Sequence, residues 1–199
     1  MERRGRAAAF FGSNGFVVSR TARIHIFGAS GSGTTTLGRA VSDRLGVPRF
    51  DADDYFWQKT EPPFTTLNPA DVRTRLLATE LDALDRWVLS GSVVGWGNVF
   101  VPAFTLAVFL SVPQGVRMRR IVARERARYG TRIEPGGDMA EQSREFIAWA
   151  ARYETAGFDQ RSRVVHEAWI GTLSCPVLRI DDDATVEAWC ARVCAAADR

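Results

Sequence analysis

Apolar runs of strand length alternate along this chain with longer stretches in which apolar residues recur at helical spacing. Residues 23–27 (RIHIF) read as a first strand, followed at once by glycines and then by a helix over about 33–45 that Gly46 ends. Residues 47–50 make a second, short strand. Asn68, Pro69 and Asp71 mark a helix start, and that helix should run to about residue 85. Residues 87–90 form a third strand and 105–111 a fourth. A long arginine-rich helix over about 114–128 leads into a polar loop at 129–137, after which Asp138 and Glu141 have the spacing of a capping box. In the helix so opened, Phe146, Trp149, Ala150 and Tyr153 share one face that should pack on the core. A helical stretch around 161–172, a fifth strand at 176–180 and a last helix at about 184–196 complete the pattern. Strands and helices in this alternation predict an α/β fold, with a five-stranded parallel sheet covered by helices on both faces. There is no internal repeat and no low-complexity tract.

With 199 residues, of which 46% are hydrophobic, the chain can bury one sizeable core, so residues 21–199 are expected to form a single domain. Residues 1–20 read as a flexible N-terminal extension. Their charged start resembles that of a signal peptide, but the apolar part is very short and is broken by Gly12, Ser13, Asn14 and Gly15. The longest apolar run, 104–112, is strand-sized and stops at Pro113, so no membrane partner is expected and the cytoplasm is the default location. Cys175, Cys190 and Cys194 form no C-x-x-C pair and have no histidine near them in sequence, which makes them small core hydrophobes. The formal charge is +3, and lysine occurs only at Lys59. A charge carried by arginine suits bidentate phosphate recognition, and it is equally what a GC-rich genome writes by default.

The central chemical signal lies directly after the first strand, in Gly28-Ala29-Ser30-Gly31-Ser32-Gly33-Thr34-Thr35-Thr36. Glycines at 28, 31 and 33 let the backbone turn and aim several N–H groups into one hollow, and the helix that follows adds its positive end. Gly28 and Gly33 have the spacing of a P-loop, and Thr35 stands where a hydroxyl would bind magnesium. Ser30, Gly31, Ser32, Thr34 and Thr36 complete the candidate nucleotide-binding set. Thr34 occupies the position where the motif has lysine, so the backbone cradle is kept while a point charge is lost. Neutralisation must then come from magnesium and from arginines elsewhere.

Residues 31–36 resemble the lysine-free phosphate loop of archaeal-type cytidylate kinases. Leu37-Gly38-Arg39, Leu45-Gly46 and Phe50-Asp51-Ala52-Asp53 are similar to shikimate and gluconate kinases, in which a helix, a Leu-Gly turn and an Asp-x-Asp pair follow the loop in this order. The resemblance to P-loop small-molecule kinases covers the order of elements from about 23 to 196. It implies a three-layer P-loop NTPase fold, ATP and Mg as cofactors, Asp51 as a magnesium residue acting through water, and Asp53 as the acceptor of the substrate hydroxyl's proton. Kinases of this group often carry an acidic residue where Ser90 stands, a departure that speaks against a metal role there, while the neighbouring glycines allow close approach of a ligand and make Ser90 and Ser92 second-tier candidates. Tyr55, Phe56 and Trp57 suit a pocket wall or the core equally well.

Arg117, Arg120, Arg124 and Arg128 are spaced to form one stripe on a helix. Beside the Gly136-Gly137 loop, this stripe resembles the lid of nucleoside-monophosphate kinases. That resemblance implies a lid over about 117–138 with Arg120 and Arg124 as catalytic residues. A solvated face is the alternative. His25 reads as a core histidine, and His166 beside Glu167 as a pair on a helix surface. The leading expectation is an ATP-dependent phosphotransferase acting on a small-molecule acceptor: a nucleoside monophosphate, nucleoside, sugar acid or antibiotic-like alcohol. The alternative is a P-loop protein that binds nucleotide without phosphotransfer. Nucleic-acid binding is not expected, because the charge comes with no recognition motif or stacking pattern. The sequence leaves the oligomeric state open.

Overall fold

Two buried apolar clusters lie on opposite faces of one five-stranded sheet in a computed structural model of the chain, which describes residues 21–182 and 184–198. The extension expected at 1–20 lies outside the described residues. The strands are β1 (Arg23–Gly28), β2 (Arg49–Asp51), β3 (Trp87–Ser90), β4 (Leu106–Leu110) and β5 (Val177–Ile180). All neighbours are parallel, in the order β2-β3-β1-β4-β5. Alternation along β1 sends Ile24 and Ile26 to one face and His25 and Phe27 to the other.

On the first face, α1 (Thr34–Leu45) and α7 (Val186–Ala197) supply Leu37, Val41, Trp189 and Val193. On the second, α3 (Ala70–Asp82) and α6 (Arg163–Ile170) supply Leu77, Leu81 and Trp169. Gly46 adopts the left-handed conformation that ends α1, with φ 62° and its N–H bonded to Ser42 O. The remaining helices are α2 (Ala52–Phe56), α4 (Gln114–Tyr129) and α5 (Ala140–Ala151).

Because β1 sits between β3 and β4, the connections on either side of it diverge at its carboxyl end. Ligands of open parallel sheets bind at such a point, and the glycine loop emerges there.

Several local expectations are corrected. The 138–141 capping box does not form: Met139 is the N-cap of α5, and the Asp138 carboxylate is held by Arg132. Asn68 does not cap α3; its Nδ2 donates to the carbonyls of Tyr55 and Trp57, and Pro69 occupies the cap. Phe146 and Trp149 are only half-buried and stack on each other, while Ala150 and Tyr153 reach the core. Among the described residues, no helix is long and apolar enough to cross a membrane.

Candidate active site

The glycine loop has the shape its residues demand. Gly31 and Gly33 have φ of 80° and 101°, a region in which a side chain is strained. A Cβ on Gly31 would also lie 2.7 Å from the carbonyl oxygen of Arg117, so the loop backbone packs directly on α4. No side chain caps α1 and its first turn carries no acid, which leaves its first N–H groups free for an anion. Ser32 is fully buried in the loop with a hydroxyl that has no hydrogen-bond partner among the described residues. A polar cradle with an orphaned donor, glycine-only backbone and a bare helix terminus fits a polyphosphate.

Asp51 ends β2 and receives four hydrogen bonds. Its Oδ2 accepts from Thr35 Oγ1 at 2.8 Å, Ser90 Oγ at 3.0 Å and Arg49 Nη1 at 3.3 Å, and its Oδ1 accepts from the Asp53 amide at 3.2 Å. Thr35 and Asp51, the two residues expected at magnesium, are therefore in direct contact, and Ser90 braces the carboxylate from behind. The last bond also makes Asp51 the N-cap of α2, a five-residue helix too short to announce itself by periodicity. Among the described residues no group of three or more His, Cys, Asp or Glu is assembled around a metal. A hydroxyl with one or two carboxylates suits magnesium held mainly by substrate phosphates and water.

Asp53 is solvent-exposed, yet protein atoms crowd its carboxyl. Burial by the surrounding protein raises its pKa above the ordinary aspartate value, Asp51 raises it further, and Arg161 and Arg124 pull it down. Arg161 donates from Nη2 to Ser30 Oγ at 3.0 Å, and its guanidinium carbon lies 5.0 Å from the centroid of the Trp149 ring.

The expected arginine stripe divides by role. Arg117 is 1% exposed; it donates to the Ser30 carbonyl at 3.1 Å and pairs with Glu154, so it belongs to the core under the loop. Arg120 is exposed and reaches the Ser32 carbonyl at 3.2 Å. Arg124 makes no ion pair with any described residue; it lies over the Phe146 ring and within electrostatic reach of Asp53. Arg128 turns to Glu125 and to the Phe64 ring.

Arg49 and Arg161 also belong to the site, although no motif marks them in the sequence. Strand alternation puts Arg49 on the same side as Asp51, a signal that was available. Nothing local marked Arg161. His166 is corrected: it is fully buried, bonded through Nε2 to Ser92 Oγ at 3.0 Å and through Nδ1 to Tyr153 Oη at 2.7 Å, while Glu167 pairs with Arg179. His25 lies in the core as expected, donating from Nδ1 to Leu89 O at 3.2 Å.

No family model matches the chain. It is 46% identical over 163 residues to the uncharacterized protein YqaC of Bacillus subtilis (strain 168), covering 82% of this chain and 90% of that protein. Among solved structures it is similar to a shikimate kinase from Acinetobacter baumannii in complex with shikimate, with a TM-score of 0.52 and 15% identity over 87% of this chain and 92% of that one. It is also similar to a deoxyadenosine kinase from M. mycoides with bound dATP, with a TM-score of 0.51 and 14% identity over 89% of this chain and 100% of that one. At these identities the shared property is the fold of P-loop kinases: a parallel sheet with helices around it.

Proposed function

The chain belongs to the family of Bacillus subtilis YqaC, and within it we propose an ATP-dependent phosphotransferase that moves the γ-phosphoryl group to the hydroxyl of a small acceptor. The observation that carries this reading is Arg161, which touches the phosphate loop at Ser30 and acts electrostatically on Asp53. One side chain thus ties the place suited to polyphosphate to the place suited to a base.

In this reading the backbone from Gly28 to Thr36 cradles the β-phosphate. The acceptor oxygen forms the new P–O bond as the bond from the γ-phosphorus to the β,γ-bridging oxygen breaks, ADP leaves, and the hydroxyl proton passes to the Asp53 carboxylate. The raised pKa of Asp53 makes its ionised form a stronger base than an ordinary aspartate. Thr35 and Asp51 are the residues that would hold magnesium. When bound, the ion neutralises charge on the phosphate oxygens. Arg120 and Arg124, joined by Arg161, supply the positive charge that Thr34 does not.

Coupled ADP release over a panel of phosphate acceptors tests the proposal, with Asp53→Asn as control. Acceptor-dependent release that the substitution abolishes supports it. ATP binding without such release, whatever the acceptor, favours the nucleotide-binding alternative, for which the Thr34 and Ser90 departures speak.

A further inference from the structure

Arg124 and Arg161 come from distant parts of the chain, and both act electrostatically on the Asp53 carboxyl. Neither forms an ion pair with a described residue. Each meets an aromatic ring instead. The Arg161 guanidinium carbon lies 5.0 Å from the centroid of Trp149, and that of Arg124 lies 5.8 Å from the centroid of Phe146. The two rings stack on each other, with centroids 6.0 Å apart and planes 25° from parallel. Arginine, ring, ring and arginine thus make one continuous row of contacts.

The row is built on α5. Phe146 and Trp149 are three residues apart, a spacing that puts both on one face of the helix. That helix is fastened to α4 by two bonds. Ser143 Oγ donates to Glu125 Oε2 at 3.0 Å in a buried contact, and Gln114 Nε2 donates to the Ala151 carbonyl at 2.7 Å. Glu125 adjoins Arg124, and Ser143 precedes Phe146 by three residues, so the fastening lies beside the ring that Arg124 meets. At the other end of the row Gln160, the neighbour of Arg161, donates from Nε2 to the Trp149 carbonyl at 3.0 Å. Both rings are half-buried, whereas Ala150 and Tyr153 beside them reach the core.

We infer that Phe146 and Trp149 are positioning residues for the terminal phosphate of the nucleotide: they hold the guanidinium groups of Arg124 and Arg161 near Asp53 without neutralising them. A carboxylate would fix an arginine as firmly but cancel its charge, as Glu154 does for Arg117. A ring face attracts a cation through its quadrupole, carries no net charge, and leaves the planar N–H edge for oxygen ligands. Two like charges brought to one place repel. The rings offset part of that cost and keep both cations available. The inference rests on the reading of the glycine loop as a nucleotide site in which these arginines replace the missing lysine.

The test compares calorimetric affinities for ADP and for a non-hydrolysable ATP analogue, both with magnesium, which differ by the terminal phosphate. The parent should bind the triphosphate about tenfold or more tightly. Phe146→Leu and Trp149→Leu keep apolar bulk and lose the ring. Each should cost about fivefold in affinity for the triphosphate and leave that for ADP unchanged. Phe146→Tyr and Trp149→Phe should restore the preference, and Phe146→Leu placed on Arg124→Ala should add nothing. Pentafluorophenylalanine in place of Phe146 keeps the ring shape and reverses its quadrupole, so it should act like leucine even where leucine unfolds the chain. Equal losses for both nucleotides would mark a merely structural role and overturn the assignment. A parent without the preference, or a preference that survives the loss of either ring, overturns it too. A ring-dependent preference without acceptor-dependent ADP release leaves the assignment standing and removes the phosphotransfer reading instead.

Discussion

The Thr35 hydroxyl donates to Asp51 Oδ2 at 2.8 Å, joining the first turn of α1 to the end of β2. Thr35 is exposed and Asp51 is nearly buried, so the pair faces outward through the threonine. Thr35→Ala should leave the fold intact and raise the magnesium needed for half-maximal ADP release by about 10–100-fold. Thr35→Ser keeps the hydroxyl and should behave like the parent. A magnesium titration of both variants decides the point.

Two arginines on one helix should respond oppositely. Arg124→Ala removes an exposed group that pairs with no described carboxylate, so the melting temperature should hardly move while turnover falls by about 10³. Arg117→Ala removes a buried guanidinium that packs under the loop and pairs with half-buried Glu154, and should cost about 2–3 kcal/mol of stability in equilibrium denaturation. Full turnover in Arg124→Ala would remove the clamp role and leave the fold untouched.

Asp53 couples activity to stability. Its carboxyl holds a proton more tightly in the folded chain than in the unfolded one, because of burial and then Asp51. The associated stability is complete below the ordinary aspartate pKa and is lost as pH rises through the raised value. Asp53→Asn should therefore melt higher than the parent at neutral pH, with the gap closing in acid. Its turnover should fall by about 10²–10⁴. Melting curves from pH 3 to 8 and rates at pH 7 check both halves.

His25 has the opposite sign. Burial holds it down to about 3 from 6.5, against the raising influence of the Leu89 carbonyl. Its contribution is complete above pH 6.5 and is withdrawn as pH falls toward 3. One such proton gives a slope of about 1.4 kcal/mol per pH unit within that window. His25→Phe keeps a ring between Phe27 and Phe104 and should remove one proton from the acid slope measured by denaturation at several pH values.

What was legible in the sequence was what neighbours along the chain decide. The step from β1 through Gly31 and Gly33 into α1 rests on alternation, positive φ and a helix start, all within one short stretch. The five strands and the helices other than α2 follow from the same local periodicities. Arg161 was invisible because its partner Ser30 lies 131 residues away. Phe146 and Trp149 read as a core face until Arg124 and Arg161 arrive from two other segments. His166 does not share the surface of its neighbour: adjacent helical residues point about 100° apart, so Glu167 turns outward to Arg179 while the imidazole turns in.

Arg117 and Arg120 bind the carbonyls of Ser30 and Ser32 from successive turns of α4, and the α4 backbone lies directly beneath Gly31. The opening turns of that helix are thereby riveted to the phosphate cradle. A swing of residues 117–138 as one rigid lever would tear out both rivets, whereas a flexure that starts beyond Arg120 would carry Arg124 across the cleft and leave the cradle at rest.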